Sequence, residues 1–288
     1  MACLVNRQLR LIAKFNDEEK KALYMKDVFE IIRDMGDGET APVAVERLDR
    51  RHFEYFGEMR DFEEVKRRYN DVILSREEAL AAACGEGDRI LSALKLAMIG
   101  NYIDFGALSS VDDETLDRLI ADAASEQIDP DTYRLFRDDL ARAGSMVYIP
   151  DNCGEIVFDK ILIRMIKEEY PELDLTVIVR GRPVLNDATV EDASYVGIDR
   201  LCPVIGNGSG IAGTYLPAVS GDARALLESV DLIIAKGQGN FETMSGCGLN
   251  VYYAFLCKCE WFERRFGMKP LEGVFINERK NELPRSSL

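Results

Sequence analysis

Three apolar runs in the second half of the chain are each followed by oxygen-bearing or basic side chains. The runs are MVYIP (146–150), LTVIVRGRPVL (175–185) and LIIA (232–235). The polar residues that follow them are Asp151 and Asn152, Asn186 and Asp187, and Lys236. In an open parallel α/β sheet, a ligand crevice forms at the carboxyl ends of the strands. We therefore predict that hard oxygen ligands and a cation surround one point, as a divalent-metal and phosphate site requires.

Each polar cluster also has a simpler structural explanation. Asp and Asn are preferred N-caps, so Asp151-Asn152 and Asn186-Asp187 could simply begin helices. Arg180 and Arg182 carry guanidinium groups that bind phosphate oxygens as a fork, although arginines are also common on surfaces. The residues alone leave both explanations open.

The segment KGQGNFE (236–242) is the most specific of the three clusters. A lysine at the end of an apolar strand, followed by two glycines, predicts a loop whose backbone N–H groups approach a phosphate. The segment is not a Walker A motif, because that order of residues is absent. GNGSGIAG (206–213) does not complete a dinucleotide fingerprint either, since it has no third glycine in register to open a helix.

The scarcity of histidine limits the chemistry of the site. The single histidine, His52, lies in a charged stretch far along the chain from the strand ends. Histidine-rich zinc sites are therefore excluded, and Ser-His-Asp or Cys-His catalysis would need this one residue. Of the seven cysteines, Cys153 lies in the first cluster but has no histidine nearby to activate it. A metal must be held chiefly by oxygen, which favours magnesium, manganese and similar ions.

Composition excludes two broad classes of function. The formal net charge of −15 argues against a nucleic-acid-binding protein, because phosphate backbones require clustered Lys and Arg. No stretch approaches the roughly 18 apolar residues that a membrane span needs. The scattered cysteines lack C-x-x-C spacing and indicate reduced thiols. We expect a cytoplasmic protein that acts on a small molecule.

Hydrophobic periodicity divides the chain near Gly144. Helical spacing predicts an N-terminal helical domain over 1–143, with helices near 17–35, 63–83, 88–100, 111–124 and 129–144. Strands alternate with helices over 144–288, which predicts an α/β core with a mostly parallel sheet covered on both faces. Its predicted strands are 146–150, 175–179, 202–205, 231–235 and 273–277, and its predicted helices are 155–169, 190–196 and 221–229.

Four phrases occurring in this order resemble one known family. They are GNYIDFG (100–106), DNCGEIVFD (151–159), RGRPVLNDAT (180–189) and KGQGNFET (236–243). Together they resemble the signature segments of the damage-control phosphatases, also called domain of unknown function 89, and are most similar to the compact prokaryotic branch. One departure is at the N-terminus, where that branch often has two cysteines three positions apart. Here Cys3 is followed by Asn6.

The resemblance implies a Rossmann-like α/β core, an N-terminal helical domain that contributes to the substrate pocket, and a role for each matching residue. It implies a divalent ion (Mn²⁺, Co²⁺, Ni²⁺ or Mg²⁺) bound by Asp151, Asn152 and Asp187. The predicted catalytic residues are Asp151, Asp187 and Lys236. The predicted substrate-binding residues are Asn101, Asp104, Arg180, Gly237, Gly239, Asn240 and Glu242.

The resulting hypothesis is a metal-dependent phosphatase that hydrolyses small phosphorylated metabolites, including damaged or side-product ones. The nucleophile is left open between a water molecule and an Asp carboxylate. Two alternatives remain: a methyltransferase that uses S-adenosylmethionine, and a binding module that senses a phosphorylated ligand without turnover. Neither the substrate nor the oligomeric state follows from the sequence.

Overall fold

The computed structural model describes residues 2–36, 38–57, 61–85, 87–100 and 113–258, together with 263–264, 267, 269 and 271–280. Helices alone make up the first part of the described chain. In order they are α1 (Ala2–Ile12), α2 (Glu18–Arg33), α3 (Ala41–Phe56), α4 (Glu63–Leu74), α5 (Glu77–Ala83), α6 (Arg89–Gly100), α7 (Asp113–Ser125) and α8 (Pro130–Arg142).

Strands and helices alternate after α8. The strands are β1 (Ser145–Ile149), β2 (Asp174–Val179), β3 (Val204–Gly206), β4 (Leu232–Lys236), β5 (Val251–Leu256) and β6 (Gly273–Asn277). The helices are α9 (Glu155–Glu169), α10 (Val190–Val196), α11 (Gly221–Ser229) and α12 (Gly237–Met244). The result is the mixed α/β fold that the alternation of patterns predicted.

The six strands form one sheet in the order β3-β2-β1-β4-β5-β6. Adjacent strands from β3 to β5 are parallel, and β6 pairs antiparallel with β5. This is the strand order of doubly wound sheets, whose direction of winding reverses next to β1. Because β1, β2 and β4 are neighbours, their carboxyl ends meet at one place.

The strands are apolar because both faces of the sheet are covered. Every residue of β4 and β5 is buried, and so are four of the five residues of β1. Runs such as LIIA therefore lack the alternation expected of a half-exposed strand. Each fully buried large aliphatic or aromatic side chain contributes about 1.5–3 kcal/mol, so burial of these runs fixes the sheet.

Two separate hydrophobic clusters involve the N-terminal helices. The largest cluster of the protein combines residues of α4–α6 and α8 with α9 and one face of the sheet. A smaller cluster belongs to α1–α3 and contains Leu4, Ile12, Tyr24, Val28, Ala44 and Leu48. His52 lies beside this smaller cluster, with its ring near those of Phe15, Tyr24 and Phe56. The proposed boundary between 1–143 and 144–288 stays a prediction.

Most predicted elements are present, and the differences have local causes. The helices predicted at 155–169, 190–196 and 221–229 have those bounds. The single helix predicted over 63–83 is wrong: it is two helices, separated by a turn at Ser75 and Arg76. Strand β5 covers the start of YYAFLCKCEWFERRFG (252–267), a segment whose pattern fits either a helix or a strand. None of the described helices is long and apolar enough to cross a membrane.

Candidate functional site

The carboxyl ends of β1 and β2 are joined by short backbone pairing. Asn152 and Asp187 form an isolated antiparallel bridge. The Ala188 N–H donates to the Asp151 carbonyl at 2.8 Å, and the Cys153 N–H donates to the Asn186 carbonyl at 2.9 Å. Main-chain hydrogen bonds thus bring together the predicted metal ligands Asp151, Asn152 and Asp187. Asp187 lies 36 positions after Asp151 in the sequence.

Arg180 connects the two acidic residues. Its Nε donates to Asp187 Oδ2 at 2.6 Å, and its Nη2 lies 3.3 Å from Asp151 Oδ1. Its Nη1 donates to Asn240 Oδ1 at 3.0 Å and to Thr214 Oγ1 at 3.3 Å. The side chain is only 1 % exposed. Arg180 is therefore a buried counter-ion of the acidic pair in this structure.

Lys236 lies beneath the site and not at its surface. Its Nζ donates to the Ala97 carbonyl at 2.7 Å, to Glu155 Oε1 at 2.7 Å and to Asp159 Oδ1 at 2.8 Å. These three contacts use all the donors of an ammonium group. The side chain is fully buried, and the adjacent carboxylates keep its pKa above the usual value despite burial.

The segment that follows Lys236 is a helix, so the predicted phosphate loop is wrong. Helix α12 begins at Gly237, which has φ +81°. A Cβ atom at this position would lie 2.0 Å from Asp151 Oδ2. Only glycine therefore lets the helix begin against that carboxylate. The backbone N–H groups of the first turn have no acceptor within the helix itself.

A buried polar contact fixes helix α12 against the glycine-rich turn at 206–213. Asn240 accepts from Thr214 Oγ1 at 2.8 Å and donates to the Lys236 carbonyl at 2.7 Å. The position of a Cβ on Gly239 would be 2.3 Å from the Ala212 carbonyl oxygen. The 206–213 turn, which does not fit a dinucleotide fingerprint, packs against α12.

The site contains more acidic than basic side chains. Four carboxyl groups lie around it, whereas Arg180 and Lys236 are its buried cations: the acids are Asp151, Glu155, Asp159 and Asp187. Burial, followed by repulsion from neighbouring carboxylates, raises the pKa of Asp151. Burial also raises the pKa of Asp187, although Arg180 opposes this shift. A bound cation would relieve this excess.

The donor set fits a hard divalent ion. No group of three His, Cys, Asp or Glu side chains in the described part of the chain is arranged to hold a metal, so the set depends on the Asn152 amide. The Asn152 Nδ2 donates to Asp151 Oδ2 at 2.7 Å and to Glu155 Oε2 at 3.3 Å. This orientation directs Asn152 Oδ1 away from both acids. Carboxylate and amide oxygens are ligands suited to Mg²⁺ or Mn²⁺.

The remaining predicted residues are placed differently. Asn101 and Asp104 lie outside the described residues. Glu242 is half-buried on α12, and burial raises its pKa to about 7. Cys153 is 1 % exposed, and burial raises the pKa of its thiol. A buried, protonated thiol is a poor nucleophile.

Sequence reasoning missed the acidic network under Lys236. Asp159 Oδ1 accepts from Lys236 and, at 2.7 Å, from the hydroxyl of Tyr148. Neither Glu155 nor Asp159 was predicted to contribute to the site. The two acids are four positions apart and lie on one buried face of α9, and this signal would have indicated a buried cation partner.

The fold and the site define a class of protein: an α/β protein with acidic and amide oxygens gathered at adjacent strand ends, next to a helix N-terminus. The family model of the damage-control phosphatase ARMT1-like domain matches residues 1–272. The chain belongs to this family, whose members are named as phosphatases.

Relatives and a solved structure agree with this assignment. A damage-control phosphatase of Archaeoglobus fulgidus is 33% identical over 77% of this chain and 77% of its own length. A damage-control phosphatase of Pyrococcus horikoshii is 39% identical over 58% of each chain. The crystal structure of a DUF89 family protein from Pyrococcus horikoshii superimposes with a TM-score of 0.80 at 27% identity and covers 96% of both chains.

Proposed function

We propose that this protein is a metal-dependent phosphatase that hydrolyses monoesters of small, damaged or side-product phosphometabolites. The observation that carries the proposal is the bridge between Asn152 and Asp187, which gathers three oxygen-bearing side chains beside the first turn of α12. Family membership supports the phosphatase class, and the excess of buried carboxylates supports a cation.

In this proposal Asp151, Asn152 and Asp187 hold one divalent ion. When bound, such an ion polarises a phosphoryl group and offsets the negative charge that develops during transfer. Arg180 keeps the two carboxylates in place through its contacts of 2.6 and 3.3 Å. It also limits their mutual repulsion in the free protein. The bound metal could be Mg²⁺, Mn²⁺, Co²⁺ or Ni²⁺.

The first turn of α12 supplies the phosphate-binding donors. Helix N-termini bind anions through free N–H groups and the helix dipole. Gly237 places no side chain between this backbone and Asp151, whereas Gly239 lies against the Ala212 carbonyl. Phosphate oxygens could therefore reach the N–H groups of 237–239 while the metal holds another oxygen of the same group.

The roles predicted for Lys236, Asn240 and Glu242 remain predictions. Lys236 would have to leave at least one of its three acceptors to touch a phosphate, and its ammonium also offsets Glu155 and Asp159. Asn240 is fully buried and engaged in protein hydrogen bonds. Glu242 is half-buried, so part of its side chain is open to solvent.

A phosphate-release screen tests the proposal. Sugar phosphates, nucleotides and a generic aryl phosphate are incubated with Mg²⁺, Mn²⁺, Co²⁺ or Ni²⁺, and with a chelator. We expect turnover with at least one metal, its loss in the chelator, and a fall of at least about 100-fold in Asp187→Ala, since one ligand and the partner of Arg180 are removed. Circular dichroism checks that the variant folds.

Retained activity in a folded Asp187→Ala variant would contradict the assigned ligand set. Addition of S-adenosylmethionine distinguishes the methyltransferase alternative, because a phosphatase neither needs nor consumes a methyl donor. A protein that binds phosphometabolites without releasing phosphate under any of the four metals would instead be a binding module.

A further inference from the structure

We propose that helix α4 is a positioning element for the metal site. Two of its buried polar residues, Lys66 and Asn70, hold the two separate turns that carry the predicted ligands. This inference deepens the proposed function, on which its metal-binding readout depends.

Asn70 holds the turn after β1. Its Oδ1 accepts from the Gly154 N–H at 2.6 Å, and the side chain is fully buried. Gly154 lies three residues after Asp151 and two after Asn152, and its φ of +81° allows the turn to lie against Tyr69 of α4. A Cβ atom on Gly154 would lie 3.2 Å from the Tyr69 Cβ. The turn is thus fixed by a hydrogen bond and by close packing.

Lys66 holds the turn after β2. Its Nζ lies 2.5 Å from Asp192 Oδ2, and its side chain is 2 % exposed. The same Asp192 oxygen accepts from the Thr189 N–H at 2.9 Å and from the Thr189 hydroxyl at 2.8 Å. Thr189 lies two residues after Asp187. Lys66 therefore fixes this turn through the carboxylate that caps α10.

The spacing of two residues on α4 lets this one helix contact both turns. Lys66 and Asn70 are four residues apart and lie on one face of the helix. Arg67 adds a contact at the surface, where its guanidinium lies 3.9 Å from the centre of the Tyr195 ring on α10. One helix therefore contacts both segments and adds to the main-chain hydrogen bonds that already join them.

We expect loss of the Lys66 or Asn70 contacts to lower metal affinity more than it lowers the free energy of unfolding. A residue that orients metal ligands typically changes metal affinity by about 10- to 100-fold when it is removed. Breaking one member of a buried ion pair leaves a buried charge, whereas removing both charges is often neutral for folding. The informative variant is therefore the double substitution Lys66→Met/Asp192→Asn.

A matched control is available in the same layer of helices. Lys160 and Glu77 form another shielded ion pair, with Nζ 2.7 Å from Oε2 and side chains 17 % and 11 % exposed. It joins α9 to α5 and touches neither turn. Lys160→Met/Glu77→Gln removes the same chemistry from a place that does not position the predicted ligands.

Mn²⁺ binding to the full-length chain, measured by calorimetry or electron paramagnetic resonance, is the first readout. We expect Lys66→Met/Asp192→Asn and Asn70→Leu each to raise the dissociation constant about tenfold, with the control variant at the wild-type value. Equal effects in the test and control variants, or no effect in the test variants, would overturn the proposal.

Hydrogen exchange without metal is the second readout and separates the two proposals. We expect faster exchange in 151–155 and 186–190 for the Lys66 and Asn70 variants, and unchanged exchange there for the control. Absence of Mn²⁺ binding in the wild-type protein would overturn the proposed metal site, while faster exchange confined to the test variants would still support the positioning role. Unchanged exchange in the test variants would overturn it.

Discussion

At the scale of single residues, Gly237 lies where the predicted metal ligand Asp151 meets the first turn of α12. Its positive φ lets α12 begin immediately after β4, and its missing side chain leaves room for the Asp151 carboxylate. The helix N-terminus favours negative charge at that point. The same residue therefore positions a predicted metal ligand and begins the helical turn that we propose binds phosphate.

Gly237→Ala should reduce phosphatase activity far more than it reduces stability. An added Cβ collides with Asp151 Oδ2 and must displace it, and misplacement by about 1 Å can lower a rate about 100-fold. Gly246→Ala is the control, because its φ of +87° is similar but no atom lies within 4 Å of its Cβ position. Both changes carry a backbone cost of about 1–2 kcal/mol. Equal activity in the two variants would contradict the predicted role.

The raised pKa of Asp151 predicts metal binding that depends on pH. In the metal-free protein burial and nearby carboxylates raise this pKa to about 8, so a proton must leave when an ion binds. Affinity for Mn²⁺ should therefore rise with pH up to about 8, by about tenfold per pH unit for one proton, and then level off. Calorimetry in buffers of different ionisation enthalpy measures the released proton. Affinity that is constant from pH 6 to 8 would refute this expectation.

At the scale of elements, helices α6 and α9 approach each other closely at a glycine of α6. A Cβ on Gly100 would lie 2.6 Å from the ring of Phe158, which is 1 % exposed. Lys236 holds the same end of α6 through the Ala97 carbonyl. The end of α6 is therefore fixed directly above the buried acids of α9.

Gly100→Ala should lower the free energy of unfolding by about 1–3 kcal/mol, as expected for overpacking in a well-packed core. Gly221→Ala is the control in the first turn of α11, where nothing lies within 4 Å of the Cβ position. It should be neutral or stabilise by up to about 1 kcal/mol. Urea unfolding measures both values, and a neutral Gly100→Ala would show that the ring of Phe158 moves aside at no cost.

The sequence predicted most elements of the α/β half because local signals and burial agree there. Helix α9 has a long apolar pattern between glycine and tyrosine, and its bounds of 155 and 169 were predicted correctly. Helix α12 was missed because its two glycines disfavour helix formation. Packing against the 206–213 turn, together with the contacts of Asn240, overcomes this preference.

The gathering of the predicted ligands was predictable, but the environment of the cations was not. Parallel strand ends place Asp151 and Asp187 at one edge whatever the details of packing. The spacing of Glu155 and Asp159 could have indicated a buried cation, but no local pattern relates α6 and α9 to β4 or identifies that cation as Lys236. Burial of Lys236 between two carboxylates depends on tertiary packing. Its position in the sequence indicated contact with a phosphate at the surface, whereas its Nζ contacts buried protein acceptors.

At the scale of the whole molecule, the proposed site would supply the local positive potential that an acidic protein otherwise lacks. The formal net charge is −15, which would repel a phosphorylated substrate. The N-terminus of α12 and a bound divalent ion would supply the local positive potential. Sequence composition alone therefore does not oppose an anionic ligand, provided that a fixed cation lies in the crevice.

The two hydrophobic clusters predict that the chain does not open as a helical half and an α/β half. Helices α4–α6 share their core with α9 and the sheet, whereas α1–α3 have a separate small cluster. Small cores are the less stable ones. We therefore expect α1–α3 to open at a lower free energy than the rest, with α4–α6 protected together with β1 and β4.

Native-state hydrogen exchange at low urea concentrations tests this expectation, because units that open together share a free energy and a urea dependence. The amides of α2 and α3 should form one weaker group. Those of α6 should exchange with those of β1 and β4. Exchange of α6 with α2 and α3 would contradict the shared core and would instead support a boundary near residue 143.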